Sequence, residues 1–180
     1  DYQERLISLN YVDFADLLLH NLTIFKNNSD ILEKFKSKIT YFLVDEYQDT
    51  NTAQYLWLKI LVKPENNICC VGDDDQSIYS WRGAEVKNFL DFDKVYENTK
   101  IFRLENNYRS TQNILSTASE LISNNEKRVG KKLYSTKEKG EMVNLTCFRN
   151  GKDEATGISD EIEKKIKKKY SLNNVAILVR

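Results

Sequence analysis

Two adjacent carboxylates follow a run of apolar residues in the segment YFLVDEYQDTN, which spans residues 41–51. Asp45 and Glu46 are thereby predicted at the end of a buried strand, where charge is costly unless a cation meets it. A magnesium ion carried by a nucleotide would suit Asp45, and Glu46 would then orient and deprotonate a water for phosphoryl transfer. The alternative interpretation is that both acids cap a helix that begins near Thr50.

A second polar loop, VGDDDQSIYSWRGA at residues 71–84, also follows an apolar run. Aromatic rings beside an arginine suit single-stranded nucleic acid, because every base has a face on which Tyr79 or Trp81 could stack without reading sequence. The alternative for both rings is burial against a neighbouring helix. The alternative for Asp73–Asp75 is a solvated turn in which an aspartate has a capping role.

A third polar segment, FRLENNYRST at residues 102–111, places Arg109 between a predicted strand and a predicted helix. The N-terminus of a helix is a natural position for an anion. An arginine there could stabilise the charge on a transferring phosphoryl group. The alternative is a salt bridge to Glu105 or to another nearby acid.

The elements that carry these segments alternate between apolar runs and helical stripes, which predicts an α/β fold with a largely parallel sheet. In open parallel sheets the ligand crevice lies outside the carboxyl ends of the strands. The predicted strands cover residues 39–45, 67–73, 100–105, 142–148 and 173–180. The predicted helices cover residues 13–25, 51–62, 84–92, 110–123 and 153–170. The first is predicted to carry Phe14, Leu17, Leu18 and Leu22 on one apolar face. Pro64 is the predicted stop of the second helix, and Ser110 is the predicted cap of the fourth.

Composition limits the possible classes of protein. The 180 residues are 41% hydrophobic, enough for one core or for two small cores that share an interface. Residues 1–100 carry 11 Lys and Arg against 17 Asp and Glu, whereas residues 101–180 carry 16 against 10, which suggests two units with different roles. The three cysteines lack metal-ligand spacing and favour a reducing cytoplasm, and Cys69 and Cys70 are predicted in a buried strand. No apolar run is long enough to cross a membrane.

In this order and spacing the three segments resemble the UvrD/PcrA/Rep family of superfamily 1 DNA helicases. VDEYQDTN resembles the family's Walker B-type motif, VGDDDQSIYSWRGA its third motif and LENNYRST its fourth, while DFADLLL and NNEKRVGKKLYS resemble flanking segments. The resemblance covers nearly the whole chain. It implies RecA-like parallel sheets flanked by helices, in incomplete parts of two RecA-like domains. Residues 1–103 would belong to the first domain and residues 104–180 to the second.

The resemblance also implies an activity and its nucleotide site. The activity would be ATP-dependent 3′-to-5′ translocation on single-stranded DNA with unwinding of duplex DNA junctions, in DNA repair or replication, in the cytoplasm. Asp45 would hold Mg²⁺, and Glu46 would be the catalytic base for ATP hydrolysis. Gln76 would sense the γ-phosphate, and Gln48 and Asp49 would link the nucleotide site to the third motif.

Five further roles follow from the same resemblance. Tyr79, Trp81 and Arg82 would contact single-stranded DNA. Tyr108 would stack on adenine, and Arg109 would reach the γ-phosphate from across the cleft between the domains.

One motif of the family does not occur in this sequence. No G-x-x-x-x-G-K-[ST] segment is present, and the six glycines never come close together. The 180 residues therefore resemble the middle of a helicase and are predicted not to hydrolyse ATP by themselves. The alternative function is a split or truncated remnant without catalysis, acting at most as a DNA-binding or protein-binding module. The basic runs KRVGKK and EKKIKKKY offer a surface for such binding, although charge runs are usually solvated helix faces.

Overall fold

The computed structural model describes residues 1–62, 67–125 and 128–179. Helices and short parallel strands alternate within them, so the predicted α/β class is confirmed, with sheets that are small and incomplete. The helices are α1 (Tyr2–Leu9), α2 (Phe14–Asn27), α3 (Ser29–Lys36), α4 (Thr52–Leu61), α5 (Val86–Leu90), α6 (Phe92–Val95), α7 (Gln112–Ile122) and α8 (Gly151–Lys167). The strands are β1 (Phe42–Val44), β2 (Ile68–Cys70), β3 (Asn106–Asn107) and β4 (Tyr134–Ser135).

The first sheet consists of β1 and β2, which run parallel with Leu43 opposite Cys69. Parallel neighbours need a crossover connection, and α4 lies in the stretch of chain between them. Backbone bonds continue past the strand ends, because Val71 N donates to Val44 O at 2.8 Å and Tyr47 N donates to Val71 O at 3.0 Å. The first two polar segments therefore leave the sheet side by side.

The buried apolar core lies mostly in the first half of the chain. Helix α2 contacts α3 and α4, and the ring of Phe92 contacts those of Tyr47 and Tyr96, with centroids 5.6 and 4.7 Å away. The buried apolar side chains of the described residues are Phe25, Tyr47, Leu58, Leu61, Val62, Ala84, Tyr96 and Leu115. Only one of them lies beyond residue 100, so the second half contributes little to this core.

Helix α2 confirms the predicted helix but not its predicted apolar face. Phe14 and Leu17, assigned to that face, are exposed, whereas Leu18 and Leu22 are half-buried and Phe25 is buried. Helices α3 and α4 pack against α2 and determine which face is buried. This face is shifted from the one that helical periodicity alone selects.

The predicted strands at residues 100–105, 142–148 and 173–180 are wrong for the residues that the structure describes, since no ladder forms there. A strand is stable only beside a hydrogen-bonded neighbour. The second sheet instead pairs Asn106 with Tyr134 and Asn107 with Ser135. Arg180, at the end of the last predicted strand, lies outside the described residues, as does Pro64, the predicted stop of the helix that became α4.

The N-terminus of α7 is capped by backbone rather than by Ser110, the predicted cap. Thr111 precedes the helix without a side-chain capping bond. The free N–H groups of Gln112 and Asn113 donate to the carbonyls of residues 138 and 139 at 3.3 and 3.0 Å. Asn113 Nδ2 also donates to Gly140 O at 2.8 Å, so the 138–140 turn covers the start of α7.

The strands β1 and β2 are half-exposed, not buried as predicted. Leu43 and Cys69 are exposed, and Cys70 is half-buried, because only one face of this two-stranded sheet is covered. Burial, with a smaller contribution from Cys69, raises the pKa of the Cys70 thiol to about 12. No helix among the described residues has both the length and the apolar character needed to cross a membrane.

The cysteines should therefore differ in reactivity. At pH 8 a thiol with a pKa of about 12 is thiolate in roughly one molecule in ten thousand. We expect iodoacetamide to modify the exposed Cys69 and Cys147 well before Cys70, as measured by peptide mass spectrometry over time. In urea the three rates should converge. Equal rates in the folded chain would contradict the burial of Cys70.

Candidate functional site

Asp45 and Glu46 are exposed at the carboxyl end of β1, where the sequence places them. Glu46 has φ 49° and ψ 43°, a left-handed conformation that residues other than glycine seldom adopt. Asp45 Oδ1 accepts a hydrogen bond from Glu46 N at 3.0 Å, which holds this turn. Backbone strain of this kind clusters at functional sites.

Neither acid caps the following helix, so that alternative is wrong. Helix α4 begins after Asn51, whose Oδ1 accepts from Gln54 N at 2.9 Å. Gln54 Oε1 accepts from Asn51 N at 3.0 Å in return, which completes a capping box. The start of α4 therefore does not use the carboxylates of Asp45 and Glu46, which accept hydrogen bonds from Glu46 N and Gln48 Nε2 instead.

The exposed carboxylate of Asp45 fits Mg²⁺. This ion keeps several waters and binds proteins through one or two carboxylates together with substrate phosphates. Within the described residues no group of three or more His, Cys, Asp and Glu side chains could enclose a metal. A single exposed carboxylate has the chemistry to bind a hydrated cation that arrives with a phosphate ligand.

Gln48 connects the first polar segment to the second. Its side chain is buried, with 1% exposed. Gln48 Nε2 donates to Glu46 Oε2 at 2.8 Å, and Gln48 Oε1 accepts from Asp73 N at 3.0 Å. The neighbouring Asp49 has a buried Oδ1 without a hydrogen-bond partner in the described parts of the chain. Of these two residues, Gln48 makes the direct contact with the third-motif segment.

Asp73 extends the same hydrogen-bonded path to Gln76. Asp73 Oδ2 accepts from Gln76 Nε2 at 2.7 Å, and Asp73 Oδ1 accepts from Asp75 N at 3.0 Å. Burial raises the pKa of Asp73, but hydrogen bonds from Lys131 and Gln76 outweigh it and bring the pKa below its usual value. We call this path, formed by Glu46, Gln48, Asp73 and Gln76, the amide relay.

The three acids of the second segment pair with residues 128–131, more than 50 positions along the chain. Their side chains are thus only partly solvated, so the solvated-turn alternative is wrong. The predicted capping role is observed for Asp73, which caps residues 74–76. The contacts are Arg128 Nε and Nη2 to Asp75 Oδ1 and Oδ2 at 2.9 and 2.6 Å, Val129 N to Asp74 Oδ2 at 2.7 Å, and Lys131 Nζ to Asp73 Oδ1. Sequence reasoning missed this pairing, although the opposite charges of DDD and KRVGKK were a signal for it.

The aromatic platform of the second segment consists of Trp81, which is exposed, and Tyr79, which is half-buried. Trp81 is 73% exposed, and its ring centroid lies 6.5 Å from that of Tyr79. The Arg82 guanidinium carbon lies 4.6 Å from the Trp81 centroid and 5.0 Å from the Tyr79 centroid. Burial against a helix is therefore excluded for Trp81. A ring held beside a cation and open to solvent can stack on a nucleic-acid base.

Tyr108 and Arg109 lie in an exposed loop between β3 and α7. Asn107 Oδ1 accepts from Arg109 N at 3.0 Å and from Ser110 N at 2.8 Å, and Lys137 Nζ donates to Arg109 O at 2.7 Å. Across the described residues no carboxylate pairs with the Arg109 guanidinium, so the salt-bridge alternative is not observed. The same contacts do not join Arg109 to Asp45, Glu46 or Gln76.

Comparison with known proteins identifies the family. The profile of the UvrD/REP helicase N-terminal domain matches residues 1–97, and that of the UvrD-like helicase C-terminal domain matches residues 102–180. A probable DNA helicase II homolog of Rickettsia conorii is 50% identical over 181 residues, covering 100% of this chain and 28% of the relative. DNA helicase II of Escherichia coli is 44% identical, and ATP-dependent DNA helicase PcrA of Staphylococcus aureus is 41% identical, each over 99% of this chain. The chain spans about a quarter of the length of these relatives. It belongs to the UvrD/REP helicase family.

Proposed function

We propose that this chain forms part of an ATP-dependent DNA helicase. The protein would couple ATP hydrolysis to 3′-to-5′ movement along single-stranded DNA and would open duplex DNA at junctions. DNA helicase II and PcrA, the relatives named above, support DNA as the partner. Residues 1–103 and 104–180 would contribute to two RecA-like domains, in a cytoplasmic protein that acts in DNA repair or replication.

The observation that carries this proposal is the position of the amide relay next to the aromatic platform. The relay begins at Glu46 and ends at Gln76, and Trp81 follows Gln76 by only five residues in the same loop. A group that responds to a nucleotide would thereby be attached to a group that stacks on DNA. Such an attachment is what coupling between hydrolysis and movement requires.

Each nucleotide-facing residue has a proposed role that its exposure permits. Asp45 would hold Mg²⁺, which when bound neutralises charge on the phosphates. Glu46 would take a proton from the attacking water, and the Gln48 amide bonded to its Oε2 would fix the direction of that carboxylate. Arg109 would place its charge against the γ-phosphate, and Tyr108, 70% exposed, would stack on adenine.

Single-stranded DNA binding tests the proposal. We expect Trp81→Ala to weaken binding of a labelled oligonucleotide by roughly 5- to 150-fold, the equivalent of about 1–3 kcal/mol for one stacked base. Trp81→Phe should retain most of the affinity because it keeps a ring. Tyr41→Ala removes an exposed aromatic side chain outside the platform and should have no effect. Fluorescence anisotropy at several salt concentrations measures all four chains.

One outcome would contradict the proposal, and another would contradict the separate expectation for ATP use by this chain alone. If Trp81→Ala binds as tightly as the unchanged chain, with the same salt dependence, then DNA is held by diffuse charge and not by the platform. If ATP with Mg²⁺ changes the affinity of the 180-residue chain, then nucleotide binds without the G-x-x-x-x-G-K-[ST] segment, contrary to the expectation that this chain alone does not use ATP.

A further inference from the structure

The carboxylate of Asp73 contacts two side chains, one from its own loop and one from far along the chain. Gln76 Nε2 donates to Asp73 Oδ2 at 2.7 Å, and Lys131 Nζ contacts Asp73 Oδ1. The side chains of Lys131 and Asp73 are only 22% and 23% exposed, so water screens this pair less than it screens a surface pair. Asp75 Oδ2 lies 3.8 Å from the same Lys131 Nζ.

A hydrogen bond holds the backbone of Asp73 in place, whereas the side chain of Gln76 depends on the Asp73 carboxylate for its position. Asp73 N donates to the amide oxygen of the buried Gln48. The Arg128 guanidinium makes two hydrogen bonds to Asp75, two residues further on. Gln76 is exposed, and the only described partner of its side-chain Nε2 is Asp73. The direction of the Gln76 amide therefore follows the rotamer of Asp73. Lys131 Nζ and Asp75 N together hold Asp73 Oδ1, one of the two oxygens that define this rotamer.

We propose that Asp73 is a positioning residue for Gln76 and that Lys131 controls it from the other matched domain. Lys131 lies in the stretch that matches the C-terminal domain profile, and Asp73 and Gln76 lie in the stretch that matches the N-terminal one. Separation of residues 128–131 from the three acids would leave Asp73 Oδ1 with the Asp75 N–H as its remaining partner and would loosen the hold on the Gln76 amide. The catalytic meaning of this link rests on the proposed function, in which Gln76 meets the γ-phosphate.

Hydrogen exchange of the Gln76 side-chain amide tests the link without nucleotide or DNA. In the ¹⁵N-labelled 180-residue chain, Lys131→Met should make this amide exchange on the order of two- to tenfold faster, the effect of losing one ordinary hydrogen bond. Lys131→Arg keeps the charge and should restore slow exchange. Lys132→Met is the matched control, because Lys132 lies over the Tyr134 ring and outside the relay.

Unchanged exchange at Gln76 in a folded Lys131→Met chain would overturn the proposal, as would equal acceleration by Lys132→Met. If the Lys131→Met chain does not fold, amide exchange in the unchanged chain serves as the test. Its Gln76 amide should exchange more slowly than that of the exposed Gln54, whose Nε2 has no acceptor among the described residues, and equal rates would overturn the link. Since neither readout involves a ligand, loss of DNA binding would refute the proposed function and leave this link standing.

Discussion

Replacement of Gly72 by alanine should lower the free energy of unfolding by about 2–4 kcal/mol, through overpacking and the loss of a buried hydrogen bond. A Cβ atom at this position would lie 2.7 Å from Gln48 Oε1 and 2.8 Å from Phe89 Cε2. Gln48 is buried and bonded at both ends of its amide, so it cannot move aside without breaking the amide relay. Urea unfolding followed by circular dichroism measures the change.

Gly151→Ala is the control for this substitution. Gly151 is the first residue of α8, and a Cβ there meets no atom within 4 Å. Alanine has the higher helix propensity, so we expect no loss of stability and a gain of at most about 1 kcal/mol. If both variants were destabilised equally, contact with Gln48 and Phe89 would not be the cause of the loss at Gly72.

The second large effect should come from Gly140→Ala, with a loss of about 2–4 kcal/mol from backbone strain and steric contact together. Gly140 has φ 74°, and an added Cβ would lie 2.5 Å from both Cβ and Oγ1 of Thr111. The substitution would push the 138–140 turn away from the free N–H groups at the start of α7. Thermal unfolding and urea unfolding should both show this loss of stability.

Gly130→Ala separates the two causes. Gly130 also has a left-handed φ, 71°, but a Cβ there meets nothing within 4 Å. It should therefore show only the strain, about 1–2 kcal/mol. A Gly140→Ala loss no larger than that of Gly130→Ala would mean that Thr111 moves aside and that the turn tolerates the change.

Local sequence was sufficient to predict the features that depend on neighbouring residues. The apolar run before Asp45 predicts a strand that ends there, and the structure places β1 directly before it. The capping box at Asn51 and Gln54 is also a local pattern, and its recognition would have excluded Asp45 and Glu46 as caps of α4. Exposure of Trp81 could not be predicted in this way, since large aromatic residues are more often buried.

Contacts between distant segments could not be predicted from local sequence. Residues 100–105 were predicted as a strand, but a ladder needs a partner, and in the stretch 100–107 the structure pairs only Asn106 and Asn107. Likewise the bond between Lys131 and Asp73 joins residues far apart in sequence, and the opposite charges of the two segments favour attraction without specifying which residues pair. The resemblance supplied the residues of the site, whereas the amide relay required the structure.

The side chains of Asn107 and Lys137 hold the backbone of the loop that carries Tyr108 and Arg109. Asn107 accepts two backbone N–H groups, and Lys137 holds the carbonyl of Arg109. Fixing the backbone of one residue costs about 1–2 kcal/mol of conformational entropy at 25 °C. Here that loss occurs during folding, so a ligand that reaches this loop has only side-chain rotamers left to order. Its binding should carry a correspondingly small entropic penalty.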